Sequence, residues 1–187
     1  MKRDIDQSLR ILKNGGTLCY PTDTIWGIGC DATNEDAVAK IYTIKQRTSS
    51  FPLIILTDTD AMVERYVQDP PEIAFELIEL SEKPITIIFE KAIHLPENVT
   101  AADGSIAIRV CKEPFVQNLI HAFRRPIIST SANIHGEPSP QFFDDISDSV
   151  LSQIDHIVEY KQTDRTVNTP SSIIKINNNG ECTIIRK

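Results

Sequence analysis

The chain of 187 residues holds no apolar run near the roughly 20 residues that a membrane-spanning helix requires. Its first residues, Met1-Lys2-Arg3-Asp4, are polar where a secretory signal would be apolar. Cys19, Cys30, Cys111 and Cys182 are scattered, without a Cys-x-x-Cys pair. That excludes a disulfide framework and a zinc ribbon, and leaves reduced, mostly buried thiols in a cytoplasmic protein. His94, His121, His135 and His156 lack metal-ligand spacing, so no metal held by the protein itself is expected. Two common nucleotide cradles are absent as well, since the chain has neither Gly-x-x-x-x-Gly-Lys-[Ser/Thr] nor Gly-x-Gly-x-x-Gly. The net charge of −7 excludes a protein whose whole surface grips nucleic acid, although a local basic cleft in an acidic body remains open.

What is present reads as one soluble domain spanning 1–187, with 41% hydrophobic and 24% charged residues. Asp4 can cap a helix with Ile5, Leu9 and Leu12 on one face, ended by Asn14-Gly15-Gly16. Thr17–Tyr20 reads as a strand that Pro21 must stop, and a loop then runs to a helix capped by Asn34. Phe51–Leu56 is a nearly continuous apolar run, as a strand buried on both faces requires. Thr57 or Asp58 opens a helix through Met62 and Tyr66, and Pro70-Pro71 restarts helical spacing through Leu80. Ile85–Phe89, Ile106–Val110, Pro126–Ile128 and Ile157-Val158 are further strands, with a helix from Pro114 to Phe123 and another across Phe142–Leu151. Ser172–Ile176 meets Thr183–Arg186 through Asn177-Asn178-Asn179-Gly180, a strong hairpin signal. Alternating strands and helices closed by a hairpin predict an α/β fold with a twisted, mixed parallel/antiparallel sheet flanked by helices.

Three polar clusters fall where buried strands stop: Thr22-Asp23-Thr24, Ser129-Thr130-Ser131-Ala132-Asn133 and Thr169-Pro170-Ser171-Ser172. In open α/β sheets strand ends are where ligands bind, and hydroxyls with backbone N–H groups there can hold a carboxylate or phosphate. Lys45, Arg47, Arg109 and Arg186 also lie beside strand ends and could supply countercharge. Each cluster also has a plainer reading, in which Thr, Ser and Asp satisfy local backbone groups and Lys45 and Arg47 favour a helix dipole. A Ser-His-Asp hydrolase could be assembled from these residue types, but no Gly-x-Ser-x-Gly elbow supports it.

In order along the chain, Tyr20-Pro21-Thr22-Asp23-Thr24-Ile25-Trp26-Gly27-Ile28-Gly29, Lys45-x-Arg47, Ile106–Val110, Ser129–Asn133 and Pro170-Ser171-Ser172-Ile173 resemble the YrdC-like family. These are L-threonylcarbamoyladenylate synthases of tRNA modification. The resemblance runs from about Ile5 to Arg186 and implies a YrdC-like fold with a concave basic cavity. It implies a reaction in which L-threonine, bicarbonate and ATP give threonylcarbamoyl-AMP, pyrophosphate and water. Mg2+ would be held mainly by ATP phosphates. Downstream transferase proteins would move the group onto tRNA, and direct binding of tRNA or double-stranded RNA is left open. By the same resemblance Thr24, Arg109, Ser129 and Ser171 would hold threonine, with Arg109 on the carboxylate. Lys45 and Arg47 would neutralise phosphates with help from Ser131 and Asn133, this set being the catalytic one. Ser105, Ser139 and Arg186 match further nucleotide-contacting positions; Thr22 is a neighbour, and Trp26 is cavity wall or core.

The chain departs from the family pattern at Thr48, where Pro is common, at Phe51, where long members have Asn, and at Leu56, where they have His. The alternative reading is a paralogue that holds RNA or a nucleotide without turnover.

Overall fold

The structure is a computed structural model that describes residues 1–47 and 53–187. Helix α1 (Lys2–Lys13) leads into β1 (Leu18–Tyr20) and β2 (Gly27–Gly29), and α2 (Glu35–Ile44) follows. Next come β3 (Ile54–Thr57), α3 (Asp60–Glu64), α4 (Glu72–Leu80), β4 (Ile85–Phe89) and β5 (Ile106–Val110). The chain continues through α5 (Pro114–Phe123), β6 (Ile127–Ser131), α6 (Asp148–Leu151), β7 (His156–Ile157), β8 (Ser172–Ile176) and β9 (Cys182–Arg186).

The strands form a nine-stranded sheet in the order β7-β1-β2-β6-β3-β5-β4-β8-β9. Pairs β1·β7, β3·β5 and β4·β8 are parallel, and the other five are antiparallel. Successive strand residues point to opposite faces. So Ile55 and Leu56, both wholly buried, enter different cores. Ile55 packs with Val38 and Ile41 of α2 and Ala74 of α4, while Leu56 packs with Leu12 of α1 and Phe115 and Leu119 of α5. Each such aliphatic side chain contributes about 1.5–3 kcal/mol by leaving water. A third cluster joins Trp26, Ile28, Ile44, Ala132 and Val150.

Several details differ from the sequence reading, each for a local reason. Helix α1 begins at Lys2, and Asp4 lies in its first turn, where Oδ1 accepts from the Glu159 amide at 3.2 Å. Thr59, not Thr57 or Asp58, caps α3 by accepting from Met62 N. Phe142–Leu151 is a short 3-10 turn followed by the one-turn α6, because Ile146 takes an extended backbone between them. The Ser129–Ser131 stretch is the end of β6 itself, laddered to β2 and β3, rather than a loop after it. Ser171 precedes the start of β8 rather than following a strand. Phe51 and Pro52 of the apolar run lie outside the described residues.

β2 is a strand where a loop was expected. Gly29 has no side chain because none fits: a Cβ there would stand 1.7 Å from the Ile128 carbonyl oxygen. That carbonyl also accepts a hydrogen bond from the Tyr20 hydroxyl at 2.7 Å, so β1, β2 and β6 are locked together at one point.

Candidate active site

The loop after β1 folds on its own hydroxyls. Thr22 Oγ1 donates to the Ile25 carbonyl at 2.8 Å, accepts from the Thr24 amide at 3.0 Å and pairs with Thr24 Oγ1 at 2.9 Å. Such side-chain-to-backbone bonds hold a tight turn without strand or helix partners. The turn presents Thr24 and Trp26 to a cavity of about 220 Å³. Trp26 serves both as wall and as core, its ring 4.9 Å from that of Phe143.

The same cavity is lined by Arg47, Arg109, Ser129, Ser131, Ser139, Ser171 and Arg186, drawn from widely separated stretches of the chain. Eight of the eleven site residues named from the sequence therefore meet at one place, counting Thr24. Among the described residues the lining carries three arginines and no carboxylate.

Arg109 is 5% exposed although it is charged, so its surroundings must answer for it. Asp23 does so in part, with Oδ1 3.2 Å from Arg109 Nε. The other Asp23 oxygen accepts from the Lys112 amide at 3.0 Å, which ties the loop to the chain just past β5. The guanidinium also reaches Thr22 Oγ1 at 3.5 Å. Asp23 thus fixes the position of Arg109 from behind, and the cavity side can take a second anion.

Lys45 and Asn133 do not line the cavity; they stand behind Ser131. Lys45 Nζ donates to the Ser131 carbonyl at 2.7 Å, the Asn133 carbonyl at 2.6 Å and Asn133 Oδ1 at 2.9 Å. Ser131 Oγ also donates to Asn133 Oδ1, and Asn133 Nδ2 donates to the Glu137 carbonyl at 2.6 Å. With Ser131 Oγ a fourth and longer contact at 3.4 Å, the ammonium spends its three donors on Ser131 and Asn133 and acts as a pin for the end of β6. Burial, and secondarily the Arg47 charge, push the Lys45 ammonium down to about 8, with Glu137 pulling the other way.

Arg186 sends Nε and an Nη to one oxygen, the Ser171 carbonyl, at 3.1 and 2.8 Å. Ser105 lies outside the cavity lining, at the far end of β5 from Arg109, with its amide bound to Asp103. Leu56 is wholly buried opposite Arg109 in the β3·β5 register, beyond the lining. Thr48 and Phe51 lie outside the described residues. Two residues beside the cavity were not singled out from the sequence. Asp23, which pairs with Arg109, was visible as one member of a polar cluster, and Thr86, whose Oγ1 lies 2.7 Å from Ser171 Oγ, only as a hydroxyl in the apolar strand Ile85–Phe89.

Among the described residues no three His, Cys, Asp or Glu side chains gather as a metal site, and no helix is long and apolar enough to cross a membrane. Cys19, Cys30 and Cys111 are buried free thiols, and Cys182 is exposed.

Comparison with known proteins gives a consistent picture. The Sua5/YciO/YrdC family model, described as telomere recombination, matches residues 10–187. The threonylcarbamoyl-AMP synthase of Pseudomonas aeruginosa strain UCBPP-PA14 is 35% identical over 150 residues, 76% of this chain and 80% of that protein. The protein of the same name from Xylella fastidiosa is 31% identical over 158 residues, 83% of this chain and 84% of its own. Among solved structures, P. abyssi Sua5 complexed with L-threonine aligns with a TM-score of 0.82 at 27% identity, over 92% of this chain and 50% of that one. This chain therefore spans about half the length of that Sua5 protein. E. coli YciO shares the fold, with a TM-score of 0.85 at 23% identity over 100% of this chain and 90% of that one. On the extent of the family match and the identity to these synthases, the chain belongs to the Sua5/YciO/YrdC family.

Proposed function

We propose that the protein is an L-threonylcarbamoyladenylate synthase, a nucleotidyltransferase that makes threonylcarbamoyl-AMP and pyrophosphate from L-threonine, bicarbonate and ATP. The observation that carries this reading is the meeting of Thr24, Arg47, Arg109, Ser131 and Ser171 around one cavity, in a chain 35% identical to proteins named for that activity. The product would pass to a transferase that modifies tRNA.

The chemistry suits such a cavity. Threonine and bicarbonate give a carbamate with loss of water; its oxygen forms a bond to the α-phosphorus of ATP, and the bond to pyrophosphate breaks. The attacking oxygen is already anionic, so a strong general base is not needed. What the protein must supply is juxtaposition of two anions and stabilisation of charge on the phosphate and the leaving group. Arg109, with Thr24, Ser129 and Ser171, seats the amino acid, with the guanidinium on its carboxylate. Arg47, Arg186, Ser131 and Ser139 face the phosphates and nucleotide. Lys45 and Asn133 act one layer back, by fixing the Ser131 main chain and hydroxyl.

Magnesium fits the donor set as an ion that arrives with the triphosphate. The lining offers hydroxyl oxygens on Thr24, Ser129 and Ser131 and no carboxylate among the described residues, so phosphate and water oxygens would hold most of its shell. When bound, the ion would neutralise phosphate charge.

The test is pyrophosphate release by the purified protein with L-threonine, bicarbonate, ATP and magnesium. Release that stops when threonine is omitted is the expected result. Folded protein that binds a nucleotide or RNA but releases no pyrophosphate would replace the synthase with a non-catalytic paralogue.

A further inference from the structure

Behind Ser171, away from the cavity lining, stands Thr86 of β4. Thr86 is wholly buried, and its Oγ1 lies 2.7 Å from Ser171 Oγ. Among the described residues this is the one hydrogen bond of either hydroxyl. Geometry alone lets either group donate. The surroundings decide between the two.

If Ser171 donated, the Thr86 proton would be left inside the protein without an acceptor, and an unsatisfied buried donor is destabilising. If Thr86 donates, its proton is satisfied and the Ser171 proton remains. Ser171 is itself only 1% exposed, but it belongs to the cavity lining and Thr86 does not, so the cavity is where that proton can find an acceptor. The second arrangement is the stable one. The rest of Ser171 is equally fixed, since Arg186 grips its carbonyl from β9 with two N–H groups. The β4·β5 register also sets Thr86 one step past the Ile87–Ile108 pair, across from Arg109.

We propose that Thr86 is a positioning residue that makes Ser171 a committed hydrogen-bond donor toward the cavity, selecting a ligand with an anionic acceptor, the carboxylate of the amino-acid substrate, beside Arg109. This inference rests on the reading of the cavity as an amino-acid site and deepens it. A serine free to rotate could donate to a carboxylate or accept from an amide; a serine already accepting from Thr86 favours the carboxylate. Selectivity for the acid over its amide therefore depends in part on a residue that touches no ligand.

Calorimetric titration with L-threonine and with L-threoninamide, nucleotide present, tests it. In Thr86→Val, which keeps the side-chain shape and loses the donor, L-threonine should bind about 3–10-fold more weakly, the value of one net hydrogen bond. The amide should change less, so the acid-to-amide preference falls. Thr86→Ser should restore that preference. In a Ser171→Ala background, Thr86→Val should alter threonine binding less than about 2-fold, because the two changes act through one contact. Equal weakening of acid and amide, or the same loss with and without Ser171, would overturn the inference and leave the threonine reading intact. Failure of the unaltered protein to bind L-threonine would overturn both. Should Thr86→Val not fold, the preference ratio of Thr86→Ala reads the same point.

Discussion

Arg109 shows how a single residue joins the fold to the chemistry. Its guanidinium is buried, held on one side by Asp23 and Thr22, and open to the cavity on the other. Replacing it with Ala removes the cation that would face a carboxylate and leaves Asp23 without its ion pair. Loss of one partner from a buried charged pair costs about 2–5 kcal/mol. Threonine-dependent kcat/KM should fall by about two orders of magnitude or more in Arg109→Ala, and unchanged steady-state kinetics would remove Arg109 from the site.

Lys45 makes a second prediction at this scale. Its folded value of about 8 lies below the ordinary 10.5, so the charged form costs the fold stability at every pH below about 8. That cost is released as pH rises from about 8 toward 10.5. The function runs the other way. Deprotonation leaves two donors and a lone pair against four oxygens, which loosens the Ser131–Asn133 turn. A pH profile of pyrophosphate release should decline on the alkaline side with a midpoint near 8. A profile flat to about pH 10 would show that Lys45 keeps its usual affinity for the proton.

At the scale of elements, the legible parts were those with strong local signals. Asn34 caps α2 by accepting from Ala37 N at 3.1 Å, worth about 1 kcal/mol, and the sequence announces it through Asn before Glu35-Asp36. Gly180, at a φ of +85°, closes the β8–β9 hairpin that its Asn-Gly run foretold. By contrast, β2 reads Gly-Ile-Gly, with too few side chains to show alternation. It is a strand because of what surrounds it: β1 and β6 supply the ladder, and the close approach of Ile128 O forbids anything larger at Gly29. The polar end of β6 was hidden for a related reason. Strand pairing there comes from neighbours distant in sequence, while Ser, Thr and Ser locally suggest a loop. Gly29→Ala should lower stability by about 3 kcal/mol, because the obstructing atom is backbone in a central strand and cannot turn aside. Chemical denaturation measures it, and a loss under about 0.5 kcal/mol would mean that β2 and β6 separate easily.

For the whole molecule, the alternation of strands and helices announced a mixed sheet, and the clusters along the chain announced most of the residues that line the cavity. The division between residues that face the ligand and those that support them could not be read in the letters. The sequence pairs Lys45 with Arg47 as a cation beside a strand end and does not show that its ammonium is bound to Ser131 and Asn133; nor does it show that Thr86 Oγ1 lies 2.7 Å from Ser171 Oγ. Thiol reactivity tests the core as a whole. Burial pushes the Cys19 and Cys111 thiols up to about 12, and Cys30 up as well. Titration with a thiol reagent at neutral pH should modify Cys182 quickly in the native protein and all four cysteines only after denaturation. Rapid reaction of a second thiol would show that one of the cores opens.

The central claim is that distant stretches of this chain seat an amino acid and a nucleoside triphosphate in one cavity so that a carbamate reaches the α-phosphorus. Incubation with carbon-labelled bicarbonate, L-threonine, ATP and magnesium, followed by mass analysis of the adenylate fraction, tests it most directly. The account predicts one new adenylate that carries the label and the mass of threonine together. An adenylate without label, or no adenylate beyond ATP and its hydrolysis products, would contradict it.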